Sequence, residues 1–107
     1  MFSFFKKKYK SIDVDTFREM KKMRDTVILD VRTRAEQQGG VINGQRNMNV
    51  MDPMFKDQAA KLDKSKTYLV YCRSGARSAR ACSILGKLGF EQVYNLRGGY
   101  MAWERQN

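Results

Sequence analysis

Histidine is absent from this chain of 107 residues, proline occurs once and cysteine twice. The two cysteines, Cys72 and Cys82, lack Cys-x-x-Cys spacing and have no histidine to complete a tetrahedral set, so neither a zinc site nor any other metal is expected. They form no disulfide framework either, and a reactive thiol without one suits a reducing compartment, so a cytoplasmic location is expected. No apolar run approaches the roughly 18–20 residues of a membrane span. Internal repeats and low-complexity segments are missing, and with 42% hydrophobic residues the chain is globular rather than disordered. Its length suits one core and one domain, expected to be monomeric and to need no cofactor.

What is abundant is positive charge: 21 Lys and Arg against 11 Asp and Glu, a net +10. That balance raises a nucleic-acid binder as a rival class. The lysines, however, are spread through the N-terminus, Lys21–Lys22 and Lys61–Lys66, without interleaved aromatics or a reading helix, so no nucleic-acid partner is expected. At the N-terminus, Met1-Phe2-Ser3-Phe4-Phe5 precedes Lys6, Lys7, Lys8 and Lys10. Charges after a short apolar run, with no small-residue cleavage site, exclude a secretory signal. Residues 1–10 read as a basic, solvated tail, with a weak membrane-surface or partner contact as the alternative. Residues 11–107 form the domain.

Along that domain, Ile12 opens an extended piece, and Asp13 or Asp15 caps a helix over 16–23 with Phe17, Met20 and Met23 as its buried stripe. Residues 27–31 form an apolar strand broken only by Asp30, which either caps the next turn or orients groups of a later loop. Residues 39–49 are an irregular loop with a short strand near Met48. Asp52 and Pro53 read as N-cap and first residue of a helix whose inner face is Phe55, Ala59 and Leu62. Thr67–Tyr71 is a strand, a long helix ends near Gly89, residues 93–96 are the last strand and 100–105 a closing helix. This alternation implies an α/β fold: a small, mostly parallel central sheet with helices on both faces.

The chain is organised around Tyr68-Leu69-Val70-Tyr71-Cys72-Arg73-Ser74-Gly75-Ala76-Arg77-Ser78, a buried strand running through a polar turn into a helix. Such turns lie at the carboxyl edge of a parallel sheet, where backbone N–H groups converge as an anion site. Arg73, Arg77 and Arg80 crowd that helix start, where the macrodipole disfavours cations, so something negative is expected there. The nearest candidate is the sulfur of Cys72, whose thiolate a helix N-terminus and arginines favour. Cys82 reads as a small buried hydrophobe, with a resolving thiol as the alternative.

Cys72-Arg73-Ser74-Gly75-Ala76-Arg77 resembles the active-site loop of rhodanese-type sulfurtransferases, whose cysteine carries a persulfide between donor and acceptor. Val27-Ile28-Leu29-Asp30-Val31-Arg32 is similar to that family's strand ending in Asp-Val-Arg, with Glu36 at its following acidic position. Gly98-Gly99-Tyr100-Met101-Ala102-Trp103 resembles its closing Gly-Gly-x-x-x-Trp segment. Gln37-Gln38-Gly39-Gly40-Val41-Ile42-Asn43-Gly44-Gln45 departs from the family's aromatic-x-x-Gly-His-Ile-Pro-Gly-Ala. The resemblance implies the rhodanese fold and sulfur transfer through Cys72. Arg73 and Arg77 would steer an anionic donor such as thiosulfate, Ser74 and Ser78 would donate hydroxyls, and Gly75 and Ala76 would shape the backbone cradle. The acceptor would be cyanide, a thiol or a protein cysteine. A persulfide carrier with little turnover is a second possibility. Cysteine phosphatases use a similar loop, but theirs is one residue longer and is served by an acid; no aspartate stands in or just after this loop.

Overall fold

In the computed structural model, which describes residues 8–106, strands alternate with helices throughout. The elements are β1 (Lys10–Ile12), α1 (Val14–Met20), β2 (Thr26–Asp30), α2 (Arg34–Gln37), β3 (Arg46–Asn47), α3 (Phe55–Ala60), β4 (Thr67–Tyr71), α4 (Ala76–Lys87), β5 (Gln92–Leu96) and α5 (Gly99–Arg105). The five strands form one sheet in the order β1-β5-β4-β2-β3, and every pairing is parallel. The fold is α/β, as expected, with two apolar layers. Among the described residues no helix is long and apolar enough to cross a membrane.

Period-two alternation along β4 explains both layers. Tyr68, Val70 and Cys72 turn toward a core shared with Phe55 and Ala59 of α3 and Ala81, Cys82 and Leu85 of α4. Leu69 and Tyr71 turn the other way, to Val14 and Phe17 of α1, with Tyr100 and Trp103 of α5 packed against them. β4 is therefore covered on both faces, which its β-branched and aromatic composition anticipates.

Several boundaries differ from the sequence expectation, most of them by a single residue and the following by more. Helix α1 begins at Val14, capped by the Asp13 carboxylate accepting from the Thr16 N–H at 2.8 Å, and ends at Met20. Met23 is thus outside the buried stripe and 62% exposed, because the chain must turn early enough for Thr26 to pair with Thr67. Helix α3 begins at Phe55, not at Pro53: the Asp52 carboxylate accepts from the Met54 N–H at 2.8 Å, so Asp52 closes a turn of its own before the helix. Of the expected tail, residues 1–7 lie outside the described residues, whereas Lys10 opens β1 opposite Tyr94.

Candidate functional site

The turn between β4 and α4 places Cys72 at the carboxyl edge of the central strand, 1% exposed. Its sulfur faces the start of α4: the Gly75 N–H donates to Sγ at 3.0 Å and the Ser78 hydroxyl lies 3.4 Å away. Gly75 is the N-cap at φ 109°, a left-handed conformation that costs glycine little and lets the loop fold back over the sulfur. Burial opposes ionisation of this thiol. When the Ser78 hydroxyl donates to the sulfur, that bond and those from the backbone N–H groups of Ser78, Gly75 and Ser74 outweigh it, bringing the pKa below the ordinary thiol value. Cys82 receives no such help, and burial pushes its thiol up, out of the reactive range.

The arginines are arranged differently from the crowd expected. Arg77 turns to α2, where its Nη1 and Nη2 donate to Glu36 Oε1 and Oε2 at 2.8 and 2.7 Å. This fork holds the Glu36 carboxyl at about 2, with help from Thr33. Thr33 and Glu36 also close a reciprocal cap on α2, so the carboxylate is fixed before Arg77 reaches it. The Arg77 charge is still felt by the Cys72 sulfur. Arg73 is exposed in a hollow with Met101, Glu104 and Arg105, and Arg80 lines a separate hollow with Val50, Met51 and Ile84. The helix start thus carries fewer unpaired cations than its sequence suggests, because the compensating acid comes from far along the chain.

Two further segments fix the loop from behind. At the start of α5 the Tyr100 N–H donates to the Cys72 carbonyl at 2.8 Å and the Met101 N–H to the Arg73 carbonyl at 3.1 Å. Gly99, at φ 60°, lies so close that a Cβ there would stand 2.5 Å from the Arg73 carbonyl carbon and oxygen. Asp30 proves structural: it accepts from the Arg32 N–H, Nε and Nη2 and from the Tyr71 hydroxyl, and none of these partners lies in the cysteine loop. Arg32 lies over the rings of Tyr71 and Tyr100 and donates to the Gly40 carbonyl at 2.7 Å, while the Ile42 N–H donates to the Tyr71 hydroxyl. These bonds seat the Gly-rich segment that departs from the family pattern.

The sequence profile of the rhodanese-like domain matches residues 13–106. The chain belongs to the rhodanese-like domain family. This rhodanese-like domain is 37% identical over 81 residues to a sulfurtransferase of Allochromatium vinosum, covering 76% of this chain and 74% of that protein. It is 33% identical over 96 residues to the thiosulfate sulfurtransferase GlpE of Coxiella burnetii, covering 90% and 88%. A rhodanese-related protein from Thermoplasma volcanium superposes with a TM-score of 0.81 at 30% identity, over 92% of this chain and 94% of that one.

Sequence reasoning named the residues around the sulfur but missed those that hold them. Glu36 was placed only by resemblance, although Thr33-Arg34-Ala35-Glu36 is a legible capping box. Asn95 was missed. Its only signal was a polar residue in the middle of an apolar last strand.

Proposed function

We propose that this domain moves sulfane sulfur from an anionic donor to a thiophilic acceptor through a persulfide on Cys72. The supporting observation is the buried thiol that N–H and O–H donors bias toward thiolate at the start of α4. In the first half-reaction the thiolate attacks the outer sulfur of thiosulfate. The new S–S bond forms as the old one breaks, and sulfite leaves with its electron pair, needing no general acid. The outer sulfur of the Cys72 persulfide then sits in the cradle of the loop N–H groups from Arg73 to Arg77, with Ser74 and Ser78 as hydroxyl donors. In the second half-reaction cyanide, a thiol or a protein cysteine attacks that outer sulfur, and Cys72 departs as thiolate. Exposed Arg73 is suited to recruiting the anion. Arg77, paired with Glu36, is suited to keeping the loop in shape and supplying positive potential. We place this chemistry in the cytoplasm, in a monomer.

The relatives named sulfurtransferases support the same class of reaction. The test is sulfur loading followed by mass spectrometry. Wild type exposed to thiosulfate gains the mass of one sulfur and loses it to cyanide, and Cys72→Ser does neither. A Cys72→Ser protein that still converts thiosulfate and cyanide to thiocyanate overturns the proposal. Loading from a protein persulfide, with negligible thiosulfate turnover, would assign a relay instead.

A further inference from the structure

Asn95 breaks the apolar run of β5 and is 5% exposed, so its amide must find partners inside the protein. Alternation along β5 turns it to the same face as Val93, toward α4. There its Oδ1 lies 2.5 Å from the Ser78 hydroxyl, while its Nδ2 lies 3.4 Å from both the Ser11 hydroxyl and the Gly75 carbonyl. Ser11 is the residue directly opposite Asn95 on β1. A continuous polar line therefore runs from exposed Ser11 through buried Asn95 and buried Ser78 to the Cys72 sulfur.

Ser78 has one hydroxyl proton and three acceptors within reach: Asn95 Oδ1 at 2.5 Å, the Gly75 carbonyl at 3.2 Å and Cys72 Sγ at 3.4 Å. With the amide oxygen toward Ser78, the proton belongs to Asn95, the nearest acceptor, and the sulfur faces an oxygen lone pair. That suits a neutral thiol. Turned over, the amide presents N–H to Ser78 Oγ, which becomes an acceptor and frees its proton for the sulfur. Asn95 Oδ1 then accepts from the Ser11 hydroxyl. The Gly75 carbonyl is not orphaned by this turn, since the Ala79 N–H donates to it at 3.0 Å.

We propose that Asn95 is a positioning residue whose side-chain amide, by turning over, directs the Ser78 proton to the Cys72 sulfur whenever that sulfur carries negative charge. The inference rests on the reading of Cys72 as a nucleophile. Its test, though, titrates the thiol directly and applies even to a protein that transfers no sulfur. Other groups that sense this sulfur are Arg77 and Cys82, both on α4; Arg77 is unaltered by the variants below, and Cys82 is alanine in all of them, so neither differs between the proteins compared.

The measurement is the rate of Cys72 alkylation against pH in a Cys82→Ala background. Asn95→Asp keeps the shape but offers only acceptors, so the Ser78 proton stays with residue 95 and alkylation at neutral pH falls at least about tenfold, one unit of apparent pKa. Ser11→Ala leaves the amide a partner in the first orientation, the Gly75 carbonyl, but none for Oδ1 in the second. It slows alkylation roughly threefold, half a unit, without altering charge. In a Ser78→Ala background, Ser11→Ala has no further effect, because its influence passes through that hydroxyl. An unchanged profile in Ser11→Ala overturns the proposal, as does an equal shift in the Ser78→Ala background. Should Asn95→Asp fail to fold, the Ser11 and Ser78 cycle alone decides.

Discussion

Replacing Gly99 by alanine tests whether the closing segment shapes the cysteine loop. The added Cβ meets two penalties. Residue 99 sits at φ 60°, where an L side chain costs about 1–2 kcal/mol. The Cβ would also stand 2.5 Å from the carbonyl carbon and oxygen of Arg73 and 2.6 Å from the carbonyl oxygen of Cys72. These are backbone atoms with no rotamer to escape into, so α5 and the loop must separate by the better part of an ångström. That stretches the bonds from the Tyr100 and Met101 N–H groups, now 2.8 and 3.1 Å, each worth about 0.5–1.5 kcal/mol. The total is a loss of roughly 2–5 kcal/mol in urea unfolding, a large share of the about 5–15 kcal/mol that holds a domain folded. Gly44→Ala is the control: it shares a positive φ of 89° but has nothing within 4 Å, so it carries the strain without the clash. In Gly99→Ala the released loop also relaxes its donors around the sulfur, and Cys72 alkylation shifts to higher pH. A Gly99→Ala protein no less stable than Gly44→Ala, with an unshifted alkylation profile, refutes the reasoning.

Arg77→Ala should raise the pKa of Cys72 and weaken thiosulfate use while releasing Glu36, and Arg77→Lys should recover only part, because an ammonium keeps the charge without the planar fork; steady-state thiosulfate kinetics beside alkylation profiles check this. Loss of Ser78 should shift the thiol further than loss of Arg77, since hydrogen-bond donors are what lower the Cys72 pKa. Cys82→Ala should keep most activity and lose roughly 1–2 kcal/mol to a small cavity; activity as low as in Cys72→Ser would require a two-thiol relay. The Glu36 carboxyl lies at about 2 in the fold against 4.5 unpaired, so its contribution is complete above pH 4.5 and disappears as pH falls through 2. With side chains 26% and 28% exposed, the pair contributes only about 1 kcal/mol, and Glu36→Gln should flatten this part of the acid limb in pH-dependent unfolding.

The parts legible in the sequence were those governed by local pattern. Thr67–Tyr71 was readable because a strand covered on both faces is apolar throughout, and α4 because Ala81 and Leu85 recur at helical spacing before Gly89. Helix starts were harder. Asp52-Pro53 has the composition of an N-cap and first turn, yet Asp52 spends its carboxylate on the Met54 N–H and the helix waits until Phe55. Met23 continues the spacing of Phe17 and Met20, but the register of β2 against β4 ends the helix first. The least legible features were long-range polar pairings. Arg77 meets Glu36 across 41 residues and Ser78 meets Asn95 across 17, and no local periodicity encodes either distance.

The docking of α5 onto the cysteine loop also orders events in time. The carbonyls of Cys72 and Arg73 acquire their caps from Tyr100 and Met101, and among the described residues β1, the first strand of the domain, pairs only with β5, its last. During folding, then, β2 and β4 can pair before the cysteine loop is backed, and that backing comes from α5, the last helix of the domain. A partly folded chain lacks the hydrogen bonds that favour the Cys72 thiolate, so the contacts that shape the cradle also tie its reactivity to the whole domain.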